Sequence, residues 1–443
     1  MVEHTLKSMY SGGIYDHVGL GFSRYSVDNK WLIPHFEKML YDNALLADAY
    51  LEAYQVTKNP IYKKINESIF IFIDNEMTSK QGAFYSALDA DSEGEEGKFY
   101  SFSRDEVYKV LQEEAPRICT NYNVTESGNF EGSNILNLIN TDLNNYLVDT
   151  ERLKLYNYRE KRIRPHRDEK ILTSWNAMMI SALSNSGRVF NKEVYIKIAE
   201  KAADFIMKEL IDKNRLLARY IDGESLHSGY LNDYAYLIEA FINLYEATFK
   251  VEHLRTAIKL NKESIDLFYD FESGGFYLTG RDSEKLIYRP KESFDGAIPS
   301  GNSITIRNMI RLSRITRDEE LLEYVKSSID YFSDDINEYL TGHSAMLSAT
   351  LMMLNPSEEI IIIGDKNNKE LNKALVYLND LYAPFTTIIY KDETSEKLLP
   401  YLSEYEHVGK DFTIYICKNY ACCKPVTNYE DLESFYEKEL DDL

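Results

Sequence analysis

Tryptophan is nearly missing from this sequence, with 2 in 443 residues, whereas tyrosine reaches 35. Cysteine is scarce too: there are four, three of them between Cys417 and Cys423. So few in a chain this long exclude a disulfide framework, and no zinc-type spacing joins them. Cys417 and Cys422 do not form a CxxC pair, and the neighbours Cys422 and Cys423 cannot bridge without strain. A reduced, cytoplasmic protein is expected. Positive charge is in deficit, 50 basic side chains against 72 acidic ones, for a net charge of −22. That argues against nucleic acid as a partner, because phosphate binding needs a basic field. No apolar run approaches the ~18 residues of a membrane span, so no membrane partner is expected. The start, Met1-Val2-Glu3-His4-Thr5-Leu6, lacks the pattern of a signal peptide. Walker A, GxSxG and dinucleotide signatures are missing as well, since Gly19-Leu20-Gly21 has no strand–turn–helix context. No cofactor is expected.

What is present is helical periodicity. Leu40, Ala44, Ala47, Leu51 and Tyr54 recur at steps of three and four, as do Tyr234, Leu237, Phe241, Leu244 and Thr248. This is the one-face period of an amphipathic helix. Similar helices are predicted at about 60–78, 173–188, 192–211, 252–270, 299–316, 318–332 and 340–354, with short breaks typical of antiparallel hairpins. Alternate helices open with a polar residue beside a small one: Asp42, Asn176, Asp233, Asn302 and His343. The last three steps are one hairpin each. The first is longer, which marks residues 79–148 as a β-containing insertion. A glycine followed by an apolar–tyrosine pair recurs at Gly12-Gly13-Ile14-Tyr15, Gly82-Ala83-Phe84-Tyr85, Gly97-Lys98-Phe99-Tyr100 and Gly274-Gly275-Phe276-Tyr277, predicting small hairpins at helix ends. Beyond Pro356 strands and helices alternate. The expected organisation is therefore a mainly α toroid of helical hairpins over 1–355 and a small α/β unit over 356–443.

The densest chemistry lies in Gly12–Asp42. His17 and His35 are candidates for proton transfer, since imidazole titrates near neutrality. Pro34 is expected to open a helix, placing His35, Lys38 and Asp42 on one face and pairing Glu37 with Tyr41. Arg24 belongs to the same stretch. The plain alternative is that each histidine is a satisfied structural donor. Asp89–Gly97 holds five carboxylates in nine residues. It opens like a calcium loop, but Tyr100 stands where a bidentate acid is required, so no metal is expected. Asp91 there is a candidate acid at the rim of a site. The basic run Arg159–Lys170 is expected mainly to neutralise that acidic loop, or else to bind an anionic group. Tyr41, Trp175 and Tyr234 offer aromatic faces suited to sugar rings, and Asn176 and Asn302 offer amides.

Six stretches carry a resemblance: GGIYDHVGLGFSRYSVD with PHFEKMLYDNA, ALDADSEGEEGKFY, RPHRDEKILTSWNAMM, GYLNDYAYLIEA, RPKESFDGAIPSGNS and the ending ICKNYACCKPVT. Together they resemble the YyaL-like, thioredoxin-domain-containing family related to mammalian spermatogenesis-associated proteins. The resemblance covers essentially the whole chain. It implies an (α/α)6 toroid similar to six-hairpin glycosidases and N-acylglucosamine 2-epimerases, preceded in the family by a thioredoxin-like domain. That domain and the helix opening the toroid are not expected within these residues, so five inner helices are expected in place of six. The functional expectation is a carbohydrate-active enzyme, a sugar epimerase or isomerase or a glycoside hydrolase. His17, His35, Glu37, Asp42, Asp91 and Asp233 would do acid/base work. Arg24, Tyr41, Trp175, Asn176, Tyr234 and Asn302 would bind the substrate. The alternative is a non-catalytic sugar-binding or scaffold module. The expected partner is a small carbohydrate ligand, with a second copy of the chain or a separate thioredoxin-like protein as further possibilities.

Overall fold

One turn recurs at three of the connections between consecutive helices. The last helical residue is a threonine whose hydroxyl donates to the carbonyl four residues back: Thr57 to Ala53, Thr248 to Leu244 and Thr316 to Leu312. Next comes a residue in the left-handed region: Lys58 at φ 55°, Phe249 at 54° and Arg317 at 58°. The threonine oxygen then accepts the backbone N–H two residues on, from Asn59, Lys250 and Asp318. Hydroxyl and αL residue together stop the helix and reverse the chain.

In the computed structural model residues 1–143, 147–284, 287–419 and 421–441 are described. Positions 144–146 of the expected insertion lie outside them. The chain divides into two units, Met1–Ala182 and Leu183–Leu443. The first contains α1 (Val2–Ser11), β1 (Tyr25–Ser26), β2 (Pro34–His35), β3 (Lys38–Met39), α2 (Leu40–Thr57), α3 (Pro60–Phe72), β4 (Ala87–Leu88), β5 (Asp91–Ser92), β6 (Glu95–Glu96), α4 (Arg104–Leu111), α5 (Ala115–Asn121), α6 (Asp149–Arg159), β7 (Arg167–Asp168), β8 (Ile171–Leu172) and the start of α7 (Thr173–Val189). The second continues with α8 (Glu193–Glu209), β9 (Ile211–Asp212), β10 (Arg215–Ile221), β11 (Glu224–Ser228), α9 (Leu231–Thr248), α10 (Val251–Phe268), α11 (Gly301–Thr316), α12 (Glu320–Glu338) and α13 (Ser344–Leu354). It ends with β12 (Glu358–Gly364), α14 (Lys369–Asp380), β13 (Thr386–Lys391), α15 (Glu393–Leu398), β14 (Phe412–Lys418), β15 (Ala421–Cys422) and α16 (Tyr429–Asp441). The mainly helical class, built from hairpins and closed by a small α/β unit, is the one read from the sequence.

A second device repeats beside the threonine turn. Near the start of α2, α7 and α11 a buried asparagine clamps one phenylalanine of the preceding glycine loop. Asn43 accepts from the Phe22 N–H and donates to its carbonyl, at 2.8 and 3.0 Å. Asn176 does the same for Phe84, at 2.7 and 2.9 Å, and Asn302 for Phe276, at 2.9 Å both ways. Each clamped phenylalanine also makes an antiparallel bridge across its loop, to Tyr15, Thr78 and Tyr269. A two-way amide contact satisfies a buried loop backbone that has no ladder partner. Three of the four glycine–aromatic stretches thus form the expected closed loops. The fourth does not: Gly97–Tyr100 is a plain turn following the β5–β6 hairpin.

Two further expectations need correction. Pro34 does not open a helix. Pro34 and His35 pair with Ser26 and Tyr25, and Lys38 and Met39 with Leu88 and Ala87, so the helix starts only at Leu40. Those ladders take the backbone groups that an earlier helical turn would need. The cysteines are not all reduced either: β14 and β15 set Cys417 directly opposite Cys422, and a disulfide joins them. Five positions apart is the separation a tight hairpin brings into register.

In the second unit β12 runs parallel to β13 and antiparallel to β14, in the order β13-β12-β14-β15. Alternate residues Ile360 and Ile362 meet Ile388, Ile414, Leu371 and Leu378 in one apolar cluster. The near-continuous isoleucine run of β12 fits a strand buried on both faces.

Candidate active site

The first unit gathers a chain of polar side chains around the start of α2. Pairing of β1 with β2 brings Tyr25 beside His35, their rings stacked with centroids 5.0 Å apart. His35 reaches a carboxylate from each nitrogen: Nδ1 lies 2.7 Å from Glu96 Oε1, and Nε2 lies 3.3 Å from Glu37 Oε2. The same Glu37 oxygen accepts from Arg24 Nη1 at 3.3 Å. Arg24 Nε in turn donates to the Tyr41 hydroxyl at 3.0 Å. The Tyr41 ring meets Trp175 edge to face at 4.8 Å. Arg24, His35, Glu37, Tyr41 and Trp175 are therefore one connected cluster. The acidic Asp89–Gly97 stretch joins it through Glu96, while Asp91 is exposed and stands opposite Glu96 in the hairpin.

Asp42 is the outlying member. Its Oδ2 is buried without a hydrogen-bond partner. Burial raises its pKa, Arg24 opposes, Glu37 reinforces, and the result is about 7. A carboxyl group that stays protonated up to neutrality is an unusual resource, because it can donate a proton where ordinary carboxylates only accept. Position matters here. Asn43, and not Asp42, is the structural counterpart of Asn176 and Asn302, so the sequence repeat had aligned the wrong residue. Asp42 has no part in the clamp.

The remaining predicted residues are enclosed within the fold, and of these His17 keeps Nε2 buried without a hydrogen-bond partner. His17 sits among Tyr10, Tyr15 and Tyr122, with ring centroids 5.0 to 5.5 Å away. Burial lowers its pKa to about 4. Asn176 and Asn302 have both ends of their amides engaged by backbone. In the second unit Asp233 caps α9, accepting the Tyr230 N–H at 2.9 Å. Tyr234 is fully buried, and its hydroxyl accepts from Arg215 and from the Leu216 N–H.

Sequence reasoning missed a second charged group in the same unit. Lys38 and Arg159 are buried, and both pair with Asp16, whose side chain is 10% exposed. Asp16 accepts from Lys38 Nζ at 2.7 Å, from Arg159 Nη1 at 2.9 Å and from the Val18 and Gly19 N–H groups. Burial alone would raise its pKa, but Arg159 and Lys38 outweigh that and hold it well below the usual carboxylate range. Burial pushes the Lys38 ammonium down, and the nearby Arg159 charge adds to this against the upward pull of Asp16. Here Gly19-Leu20-Gly21 finds its use. A Cβ on Gly19 would stand 1.9 Å from Arg159 Nη2, and one on Gly21, at φ 73°, 2.5 Å from the Phe72 ring. The basic run does not neutralise the acidic loop either. Arg162 pairs with Glu106, Arg164 with Glu76 and Glu160, Arg167 with Glu169, and Lys170 with Asp168. Glu93 and Glu95 pair with Lys98 instead.

The buried imidazole predicts acid sensitivity. Between about pH 6.5 and 4 the unfolded chain takes up a proton at His17 that the folded chain refuses, so stability falls by up to about 3 kcal/mol. Urea unfolding across that range should show a flatter acid limb for His17→Gln than for the parent. An unchanged limb would mean that His17 is already protonated in the fold.

Among the described residues no helix is long and apolar enough to cross a membrane, and no group of three or more His, Cys, Asp or Glu could hold a metal ion. No family model matches the chain. It is similar to spermatogenesis-associated protein 20 of Homo sapiens, 30% identical over 97% of this chain, and equally to that of Rattus norvegicus. An uncharacterized protein of Caenorhabditis elegans is 28% identical over 99% of it. The resemblance read from the motifs thus agrees with the relatives to which the chain is similar. The chain spans 61% of the length of the mammalian relatives. Among solved structures it is similar to a sugar epimerase from a ruminal bacterium, at 14% identity and TM-score 0.48, covering 76% of this chain and 72% of that one. A family 76 glycoside hydrolase (mannosidase) of Bacteroides thetaiotaomicron follows at 12% and 0.46, covering 86% and 80%.

Proposed function

We propose that this homologue of spermatogenesis-associated protein 20 is an acid–base enzyme acting on a small hydroxyl-rich substrate of the carbohydrate class. One observation carries the reading: Asp42, unpartnered at Oδ2 and raised to about 7, stands within electrostatic reach of Glu37. Two carboxyl groups in unlike environments can divide the roles of proton donor and base. Asp42 would protonate a leaving or carbonyl oxygen. Glu37, oriented by Arg24 and His35, would act as base or nucleophile. The Tyr41–Trp175 pair would offer an aromatic edge to a sugar ring.

Hydrolysis of a glycosidic bond suits a carboxylate pair. Epimerisation through a histidine pair has less support, because His17 is enclosed by tyrosines and has no described contact with His35. The test is a thermal-shift screen against mono- and oligosaccharides, since a ligand bound only by the native state raises the melting temperature. A hit should vanish in Glu37→Gln with the unliganded melting temperature little changed. If no sugar shifts the parent and Glu37→Gln unfolds, the cluster is a structural network.

A further inference from the structure

Three of the four cysteines lie within seven residues at the edge of the C-terminal sheet, and their environments differ sharply. Cys417 is the last residue but one of the inner strand β14 and is fully buried. Cys422, bonded to it, is exposed on the two-residue strand β15. Cys423, next in the chain, is an exposed free thiol.

The bridge has little structural work to do. It closes a very short loop, where cross-linking removes the least entropy from the unfolded chain. The segment is already tied down by backbone bonds. Cys423 N–H donates to the Ile416 carbonyl at 2.9 Å, Asn419 N–H to Ser357 at 3.0 Å, and Ile414 and Val426 exchange bonds at 2.8 and 2.9 Å. Asn419 Oδ1 also accepts from Ser357 N–H at 3.1 Å. Cys422 is exposed as a residue, and its Sγ lies 3.6 Å from the Tyr405 hydroxyl. A disulfide with one exposed cysteine, on an edge strand held by other means, has the makings of an exchangeable bond.

We infer that Cys417–Cys422 is a thiol–disulfide exchange site serving a dithiol reductant. A thiolate of the dithiol attacks Cys422 Sγ, the sulfur of the exposed cysteine. The Cys417–Cys422 bond breaks as a mixed disulfide forms at Cys422. Cys417 leaves as a thiolate and takes up a proton. The second thiolate of the dithiol attacks its partner sulfur in the mixed disulfide, releasing Cys422 as a thiolate and the reductant as a cyclic disulfide. Two electrons pass to the protein, and the sheet keeps its backbone bonds in both states. Reduction leaves Cys422 and Cys423 as adjacent exposed thiols.

The probe is dithiothreitol acting on the oxidised full-length chain, with thiols trapped by iodoacetamide and located by peptide mass. The Cys423→Ser variant is used in parallel so that labelling at Cys422 is unambiguous. The rate of bridge reduction in the native state should lie within about a hundredfold of that in concentrated urea, and oxidised dithiothreitol should restore the bridge. Glutathione disulfide added to the reduced chain should mark Cys422 and not Cys417. Native reduction slower by more than that factor would mean that the bond opens only with global unfolding. That result, or an air-oxidised chain without the bridge, would overturn the proposal.

Discussion

Asp16→Asn should cost about 3–5 kcal/mol of folding stability, because it strands two buried cations that now share one carboxylate. Lys38 and Arg159 are both almost completely buried. Without Asp16, Lys38 keeps only the Leu20 carbonyl at 2.8 Å among its described hydrogen bonds. Its ammonium also faces the Phe72 and Tyr100 rings at 4.7 and 5.1 Å, contacts too weak to replace an anion. Denaturant midpoints would measure the loss, with the slope checked so that a change of denatured state is not mistaken for it. Adding Lys38→Met should recover part of the stability, since one stranded charge is removed. The pH dependence is equally definite. The folded pKa of Asp16 lies below its unfolded value, so the stabilisation is complete above about pH 4 and fades as pH falls below that. A cost under about 1 kcal/mol at pH 7 would show that water reaches the triad and that the charges are not confined.

Asp42→Asn should have the opposite sign. The parent holds this carboxyl at about 7, well above its unfolded value of 3.8. Folding must therefore bind a proton or bury a charge at any pH above that unfolded value. The penalty is absent near pH 3, grows as pH rises, and is complete above about pH 7. Removing the titratable group should stabilise the chain by up to a few kcal/mol at pH 8 and by little at pH 4. The same substitution should abolish turnover of any sugar substrate identified by the screen, since an amide cannot supply the proton. A stability gain at pH 8 combined with loss of activity would mark a residue kept for chemistry at the expense of the fold. Equal stability of parent and variant at both pH values would mean that Asp42 ionises normally, and the proposed acid would be lost with it.

Much of the architecture could be read from side-chain periodicity, because burial of one helix face leaves a three-and-four pattern that nothing local disturbs. The start of α2 is not legible locally, because Pro34 is compatible with both a helix start and a strand edge. Only the pairing of Lys38 and Met39 with Leu88 and Ala87, some fifty residues on, decides between them. The repeat was detected, but Asp42 was matched to Asn176 when the true counterpart is Asn43, one residue further on. The signal was there: an amide that must accept and donate at once has no carboxylate equivalent. The threonine turns were also legible, as Thr57-Lys58, Thr248-Phe249 and Thr316-Arg317. Their sequence signal is faint, because an αL lysine, phenylalanine or arginine carries none of the glycine that usually marks such a position. Glu96 could not be separated from its four acidic neighbours, and the Asp16–Lys38–Arg159 group joins residues 143 positions apart. Charge pairing over that separation follows from topology, not from local pattern.

The asparagine clamps also say where the chain can be cut or lengthened. Each clamp fixes the far end of its loop at one phenylalanine and leaves the tip to itself. In the second loop that tip is Lys80 and Gln81, both exposed, between the bridge from Thr78 to Phe84 and the bond from Ser79 N–H to Ala83. Residues inserted there, or new termini opened there, would leave Phe84 held by Asn176 and the start of α7 undisturbed. The first loop offers no such freedom, because its tip carries Asp16 and the close approach at Gly19. Two loops built on one clamp thus differ in use: one is a natural point for attaching a tag or a second domain, and the other is closed to alteration by the charges it encloses.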